Sequence, residues 1–313
     1  MNVLITGASG YIGLQLVKQL EKNQQIHSII AIDIKKNIEE SKKTKFYLMD
    51  IRDKKILELL QKHKIDTVIH LAAIVNPTKH LTKKEQYSID VIGTTSIMKY
   101  CAISMVKRFI ITSSGAVYGY HPDNPIPIHE GQPLRGNKEF AYSYHKTIIE
   151  KRLDFFKQKY PHLKQFIFRV STILGEKTSN QISDLFKKKF LIGIQGSDSP
   201  FCFVWDQDVI NCLEKAIFCD LNKSGIYNLS GDGYLKIQEI SEILNKKIIY
   251  FPPKLLSKIL KILYKLKISQ YSSEQILFLQ YRPVLDNSKL KNEFGYIPKK
   301  TSKEVFLYFA KNL

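Results

Sequence analysis

Cysteine is scarce in this 313-residue chain: Cys101, Cys202, Cys212 and Cys219 are the only four, and none are spaced as a CxxC pair. That pattern supplies neither a disulfide framework nor a zinc ribbon, so reduced thiols and no metal centre are expected. Long apolar runs are missing too, because Lys, Asp or Asn interrupts every hydrophobic segment, whereas a membrane span needs about 18 uninterrupted apolar residues. Residues 1–6 lack the charged start and apolar stretch of an export signal, and a cytoplasmic location is expected. Acids are outnumbered, 29 against 48 Lys and Arg, for a net charge of +19. The lysines are spread over the whole chain, and no basic stripe alternates with aromatics as in single-strand binders. Nucleic acid is therefore not the expected partner. With 44% hydrophobic residues the chain can bury a full core.

Apolar runs at residues 3–6, 27–33, 45–50, 67–72, 108–113 and 165–169 read as buried strands. Between them, residues 10–22, 53–62, 84–104 and 140–159 carry apolar side chains three and four apart, the helical period. Strands alternating with such helices imply right-handed crossovers and a parallel sheet. The expected fold class is α/β, a doubly wound Rossmann sheet with a smaller C-terminal α/β substrate lobe. Residues 1–170 form the dinucleotide-binding part in this reading, and residues 171–313 a mostly helical lobe that interleaves with it. In that second part the spacing predicts helices over 180–190, 206–218, 236–245, 254–268, 272–281 and 302–312, with strands over 201–204 and 226–229. The long loop at 115–138, with Pro122, Pro125, Pro127 and Pro133, is expected to overhang a cleft.

Thr6-Gly7-Ala8-Ser9-Gly10-Tyr11-Ile12-Gly13 follows the first strand and opens the first helix. In that setting glycines let the backbone approach a pyrophosphate, and the helix N-terminus faces its charge. Asp33 ends the second strand about 20 residues beyond Gly13, where a carboxylate accepts the adenosine ribose hydroxyls and repels a 2′-phosphate. NAD is accordingly preferred over NADP, although Lys35 and Lys36 stand just behind the acid.

Tyr142-Ser143-Tyr144-His145-Lys146 puts a phenol and an ammonium four apart, on one face of a helix. A fixed ammonium is expected to lower the phenol's pKa from near 10 and fit it for proton transfer. Tyr160 with Lys164, Tyr250 with Lys254 and Tyr296 with Lys300 share the spacing, but each interval contains proline. Only Tyr142 begins a long proline-free helical stretch. Ser114 lies where the strand at 108–113 ends, at the carboxyl edge of the sheet, where open α/β sheets bind ligands.

With these motifs the chain resembles the extended short-chain dehydrogenase/reductase superfamily, in its NAD-dependent epimerase/dehydratase branch. The resemblance extends to Asp50-Ile51-Arg52, to His70-Leu71-Ala72-Ala73, to Val117-Tyr118-Gly119, to Arg169, to the segment Phe203–Asp208, and to Arg282 through Lys289. It implies Ser114, Tyr142 and Lys146 as the catalytic set, with Ser113 as the alternative serine. It also implies a cofactor site of Gly7, Ser9, Gly10, Tyr11, Ile12, Gly13, Asp33, Asp50, Ile51, Leu71, Ala72 and Ala73, with Tyr142 and Lys146 reaching the nicotinamide end. A homodimer built from the helices at 84–104 and 140–159 is implied as well.

The implied reaction is hydride transfer at a hydroxyl-bearing carbon of a sugar or nucleotide sugar, as in a UDP-glucose 4-epimerase. Water elimination is not expected, since Gly115-Ala116 stands where the family's sugar dehydratases carry Asp-Glu. Thr172 and Asp90 also occupy places where the epimerases have Asn, and no diphosphate clasp is evident before Arg282. An apolar alcohol, as in a 3β-hydroxysteroid dehydrogenase, is the alternative substrate, and a noncatalytic NAD sensor a third reading. Residues 254–266 form a basic amphipathic helix, with Leu255, Leu256, Ile259, Leu260, Ile262, Leu263 and Leu266 opposite Lys254, Lys258, Lys261 and Lys265. Ordinary packing on the lobe with solvated lysines is preferred there to contact with a membrane surface.

Overall fold

A computed structural model describes residues 1–75, 81–266, 273 and 275–313, together with the side chains there except Leu263 and Gln275. The first half alternates strand and helix except that β3 follows β2 directly: β1 (Asn2–Thr6), α1 (Tyr11–Glu21), β2 (Ser28–Asp33), β3 (Thr44–Leu48), α2 (Lys55–Lys62) and β4 (Thr67–His70). Then come α3 (Lys83–Tyr87), α4 (Thr94–Ile103), β5 (Arg108–Ser114), α5 (Ala141–Lys159) and β6 (Lys164–Val170). A π-helical stretch, Ser88–Gly93, fuses α3 to α4, so the single helix expected over 84–104 carries a widened turn at Asp90.

The second half adds β7 (Thr172–Leu174), α6 (Gln181–Phe186), β8 (Leu191–Ile194), β9 (Phe203–Trp205) and α7 (Asp206–Phe218). After these run β10 (Gly225–Leu229), α8 (Ile237–Leu244), β11 (Ile248–Phe251), α9 (Pro253–Lys265), α10 (Gln275–Gln280) and α11 (Ser302–Ala310). Seven strands form one sheet in the order β10-β6-β5-β4-β1-β2-β3, all neighbours parallel. This is the doubly wound arrangement, and its strand order reverses between β1 and β4, where such sheets open a crevice at their carboxyl edge. β10 comes from the second half of the chain yet completes the sheet beside β6.

The strands read as near-continuous apolar runs because both faces are covered. One face packs Val3, Ile5, Ile29, Phe166 and Phe168 under α1 and α7; the other packs Leu4, Ile30, Val68, Phe109 and Ile111 under α2, α4 and α5. A third apolar cluster, centred on Phe186, Phe203 and Phe306, is the core of the second lobe. Three strands there were not anticipated. β7, β8 and β11 are three or four residues long, too short for any period to emerge, and among the described residues they pair only as β7 with β9 and β8 with β11.

α9 also differs from expectation. Its apolar side is divided: Leu256 is buried and Leu260 partly buried against Ile194, Phe251, Ile276 and Leu279. Leu255, Ile259, Ile262 and Leu266 point to solvent. The helix meets the lobe through a narrow strip, so a broad apolar face cannot all be covered. The end of the helix expected over 254–268 and the start of that over 272–281 lie outside the described residues. No described helix is long and apolar enough to cross a membrane.

Candidate active site

The turn after β1 is built by close backbone approach. Gly7 takes φ +69, and a Cβ there would stand 2.6 Å from the amide nitrogen of Ala72, so both conformation and space require glycine. Gly10 caps α1 without a side-chain bond. The first intrahelical bond is Leu14 N–H to Gly10 O at 2.9 Å, so the amides of Tyr11, Ile12 and Gly13 precede the ladder at the positive end of the helix. Asp33 is drawn to this turn: Ser9 N–H donates to one carboxylate oxygen at 3.0 Å and Lys35 N–H to the other at 3.1 Å. Asp50 lies one residue beyond Met49, whose N–H bonds Asp33 O at 2.9 Å. The Asp50 carboxylate is held by Arg52 at 2.7 Å, which keeps it below the usual carboxylate range.

A cavity of about 450 Å³ opens at the carboxyl edge of the sheet. Gly7, Gly10, Tyr11, Ile12 and Gly13 line it on one side, with Leu71 and Ala73. Ser114, Tyr142 and Lys146 line it too. Ser9, Asp33, Asp50, Ile51 and Ala72 do not: Ala72 backs Gly7, and Ile51 is buried under Gly93.

Lys146 projects from the first turns of α5 and donates to the carbonyl of Thr112 at 2.8 Å, which ties the helix to the end of β5. Its nitrogen sits 5.8 Å from the centre of the Tyr142 ring. Burial lowers the Lys146 pKa, opposed by the negative charges of Asp90 and Glu150. Burial likewise raises Tyr142, to about 12; the Ser114 hydroxyl opposes that rise by hydrogen bonding, and Asp90 adds to it. The phenol is thus raised rather than lowered, because loss of water around the hydroxyl outweighs the Ser114 hydrogen bond that favours phenolate. Both serines line the cavity; Ser113 donates its hydroxyl to Glu150 at 2.5 Å, whereas Ser114 caps Ala116 N–H at 3.2 Å and hydrogen-bonds toward Tyr142.

A buried polar network supports this wall. Glu150 pairs with Arg169 at 2.6 Å, Arg169 donates to the hydroxyl of Tyr118 at 2.7 Å, and Tyr118 donates to Asn228 at 2.8 Å. The chain joins α5, β6, the 115–138 loop and β10. His145, one residue from Lys146, is not the solvated side chain a helical surface would give. It is buried, with Nδ1 3.0 Å from the carboxylate of Asp90, whose other oxygen accepts from Ile74 N–H at 2.9 Å. His70 is also buried, between the hydroxyls of Thr6 at 2.7 Å and Thr94 at 2.8 Å, and burial lowers its pKa to about 3.

The opposite wall contains a residue whose role sequence reasoning missed. Arg282 is buried, its guanidinium carbon 3.7 Å from the Phe201 ring centre and 4.8 Å from that of Phe278. One nitrogen donates to Leu279 O at 3.1 Å, while Nε and Nη2 have no partner among the described residues. Burial pushes its pKa down to about 9, which leaves it charged at neutral pH. Tyr120, Phe140 and Phe278 complete the wall, packed edge to face and stacked with centres 5.2–5.9 Å apart. Arg-Pro at 282–283 was visible in the sequence, but only the tertiary fold brings it opposite Tyr142.

A seven-stranded doubly wound sheet, a glycine turn at its switch point and a Tyr/Lys pair on one cavity define a dinucleotide-dependent class of oxidoreductase scaffold. Residues 3–195 match the family model described as NAD dependent epimerase/dehydratase family. The chain belongs to that family and is an NAD-dependent enzyme of it. It is 24% identical over 309 residues to the uncharacterized protein Rv0501 of Mycobacterium tuberculosis, covering 97% of this chain and 82% of that protein. It is 30% identical over 196 residues to a UDP-glucose 4-epimerase of Yersinia enterocolitica, covering 59% of this chain and 57% of the relative. In fold it is similar to the Thermus thermophilus UDP-glucose 4-epimerase solved with NAD, with TM-score 0.74, 19% identity, and 100% and 98% of the two chains covered.

Proposed function

We propose that the chain transfers hydride to and from a hydroxyl-bearing carbon of a sugar carried on a nucleoside diphosphate, as an epimerase. Bound NAD supplies the acceptor and donor of that hydride. In this reading Gly7, Ser9, Gly10, Tyr11, Ile12 and Gly13 bind the pyrophosphate through backbone amides. Asp33 takes the adenosine ribose, Asp50 and Ile51 border the adenine, and Leu71, Ala72 and Ala73 form the floor. Lys146 holds the nicotinamide ribose. Tyr142 takes the proton of the substrate hydroxyl while Ser114 hydrogen-bonds the same oxygen, and the proton returns by the same route. Residues 1–170 thus carry the cofactor, and most of the substrate side comes from residues 171–313.

The observation that carries the nucleotide-sugar reading is Arg282. A buried cation with two unpaired donors is costly unless an anion completes it, and a guanidinium fork suits a phosphate. The aromatic wall of Tyr120, Phe140 and Phe278 favours the second reading, an apolar alcohol. We also propose a homodimer through the faces of α4 and α5, where Ile103 and Phe155 are exposed, and a cytoplasmic location.

The deciding experiment incubates purified protein and NAD with UDP-glucose or UDP-galactose. Interconversion without net NADH is the expected result. Accumulation of NADH with hydrophobic alcohols and none with sugar nucleotides establishes the second reading, and light scattering of a monomer removes the dimer.

A further inference from the structure

The exposed side of α9 has an order that packing on the lobe does not explain. Leu255, Ile259, Ile262 and Leu266 are 48%, 37%, 58% and 62% exposed. Their spacing of four, three and four residues places them in one stripe along the helix. Lys254, Lys258, Lys261 and Lys265 repeat at the same spacing and form a second stripe beside the first. At about 100° per residue the buried Leu256 and Leu260 fall on the far side of the apolar stripe from the lysines. The helix therefore has three sectors: one seated on the lobe, one apolar and facing water, and one cationic.

We propose that this face of α9 docks on an anionic lipid surface, the apolar stripe entering the headgroup boundary and the lysines meeting lipid phosphates. Charge selects that occupant. From residue 243 to 273 the sequence contains no Asp or Glu and seven lysines. A second copy of the chain brings only further lysines to this face, with no acid on α9 to receive them. A bilayer of acidic lipids offers both a negative plane and, just beneath it, an apolar medium, which a helix lying in the interface uses together. The inference needs no turnover and stands apart from the reaction assigned to the cavity.

The test is sedimentation with vesicles of phosphatidylcholine alone and of equal parts phosphatidylcholine and phosphatidylglycerol. The protein is expected to sediment with the second and not the first. Each of the four lysines changed to Gln should weaken binding by about fivefold at low salt. The doubly substituted Ile259→Ser, Ile262→Ser protein keeps its charge and should lose at least about tenfold; both positions are solvent-exposed, and an unchanged circular dichroism spectrum certifies the fold. A tryptophan placed by Ile262→Trp should shift its emission to the blue on the acidic vesicles only. Equal binding by the double serine variant would show that the overall +19 charge acts without the stripe, and the proposal falls. It falls as well if neither vesicle binds, or if light scattering shows that the serine variant dissociates an oligomer.

Discussion

The two walls of the cavity are made by different means. The wall next to α1 is backbone: Gly7 lies against Ala72, α1 presents unbonded amides, and Asp33 is held by two main-chain N–H groups. The facing wall is side chain: Tyr120, Phe140 and the Phe278–Arg282 stretch arrive from three separate segments, held by ring packing and by the Arg282 cation over Phe278 and the neighbouring Phe201. A backbone wall suits a ligand that never varies, because main-chain geometry changes little with substitution. A side-chain wall can be respecified one residue at a time, and in the proposed function it is the wall that meets the substrate. Tyr142, Lys146 and Ser114 stand between the two.

If that division is right, substitutions at the junction, the side-chain wall and the backbone wall should separate cleanly. The largest effect belongs to the junction. Tyr142→Phe removes the proposed proton acceptor without altering the glycine turn, and turnover should fall at least about a thousandfold. Retention of NAD, measured by heat release and chromatography, should be unchanged; loss of NAD with the activity would break the division. Arg282→Met comes next. KM for a UDP-sugar should rise by about a hundredfold, the scale of a lost charge-assisted contact, while NAD retention stays intact. Because the arginine is buried with two unpaired nitrogens, the variant's thermal midpoint should rise rather than fall. A fall in both stability and NAD binding would show that Arg282 supports the whole cavity.

The same contrast explains what the sequence made legible. All six strands expected in the first half are present with ends shifted by one or two residues, because strands buried on both faces are long apolar runs and the helices between them keep a 3.6-residue period. The glycine turn could be recognised because its residues are consecutive. On the other side, β7, β8 and β11 were too short to show a period. Arg282 carries a functional reading only once Phe201 and Phe278 are seen to enclose it. The burial of His145 cannot be read locally, because its partner, Asp90, is 55 positions away. The amphipathic pattern of α9 was visible, but which part of its apolar face meets the lobe was not.

The backbone wall should also be the more sensitive to acid. His70 bridges β1 and α4 through Thr6 and Thr94, and its folded pKa is near 3 against about 6.5 when unfolded. The native state therefore refuses a proton that the unfolded chain accepts. The stabilisation is complete above pH 6.5 and is lost progressively as pH falls toward 3, by about 2 kcal/mol between pH 7 and pH 5. Urea midpoints at those two pH values should show the drop, and His70→Gln should flatten it. An equal drop in the variant would assign acid sensitivity elsewhere.

The smallest effect sharpens the comparison most, because it tests the seam itself. Asp90 sits on the π-helical turn, bonded to Ile74 N–H and to His145, and its charge raises the pKa of both Tyr142 and Lys146. Asp90→Asn preserves an acceptor for Ile74 and removes the charge. Tyr142 then ionises at lower pH, so the alkaline-rising limb of the pH–rate profile for kcat should move to lower pH, with a change in KM of less than about threefold. A merely structural role for Asp90 would lower the rate at every pH alike and leave the limb where it was. The substitution is confined to the junction, so NAD retention should not change; a shifted limb with intact retention would mean that the proton chemistry is tuned from neither wall but from the helix turn that joins them.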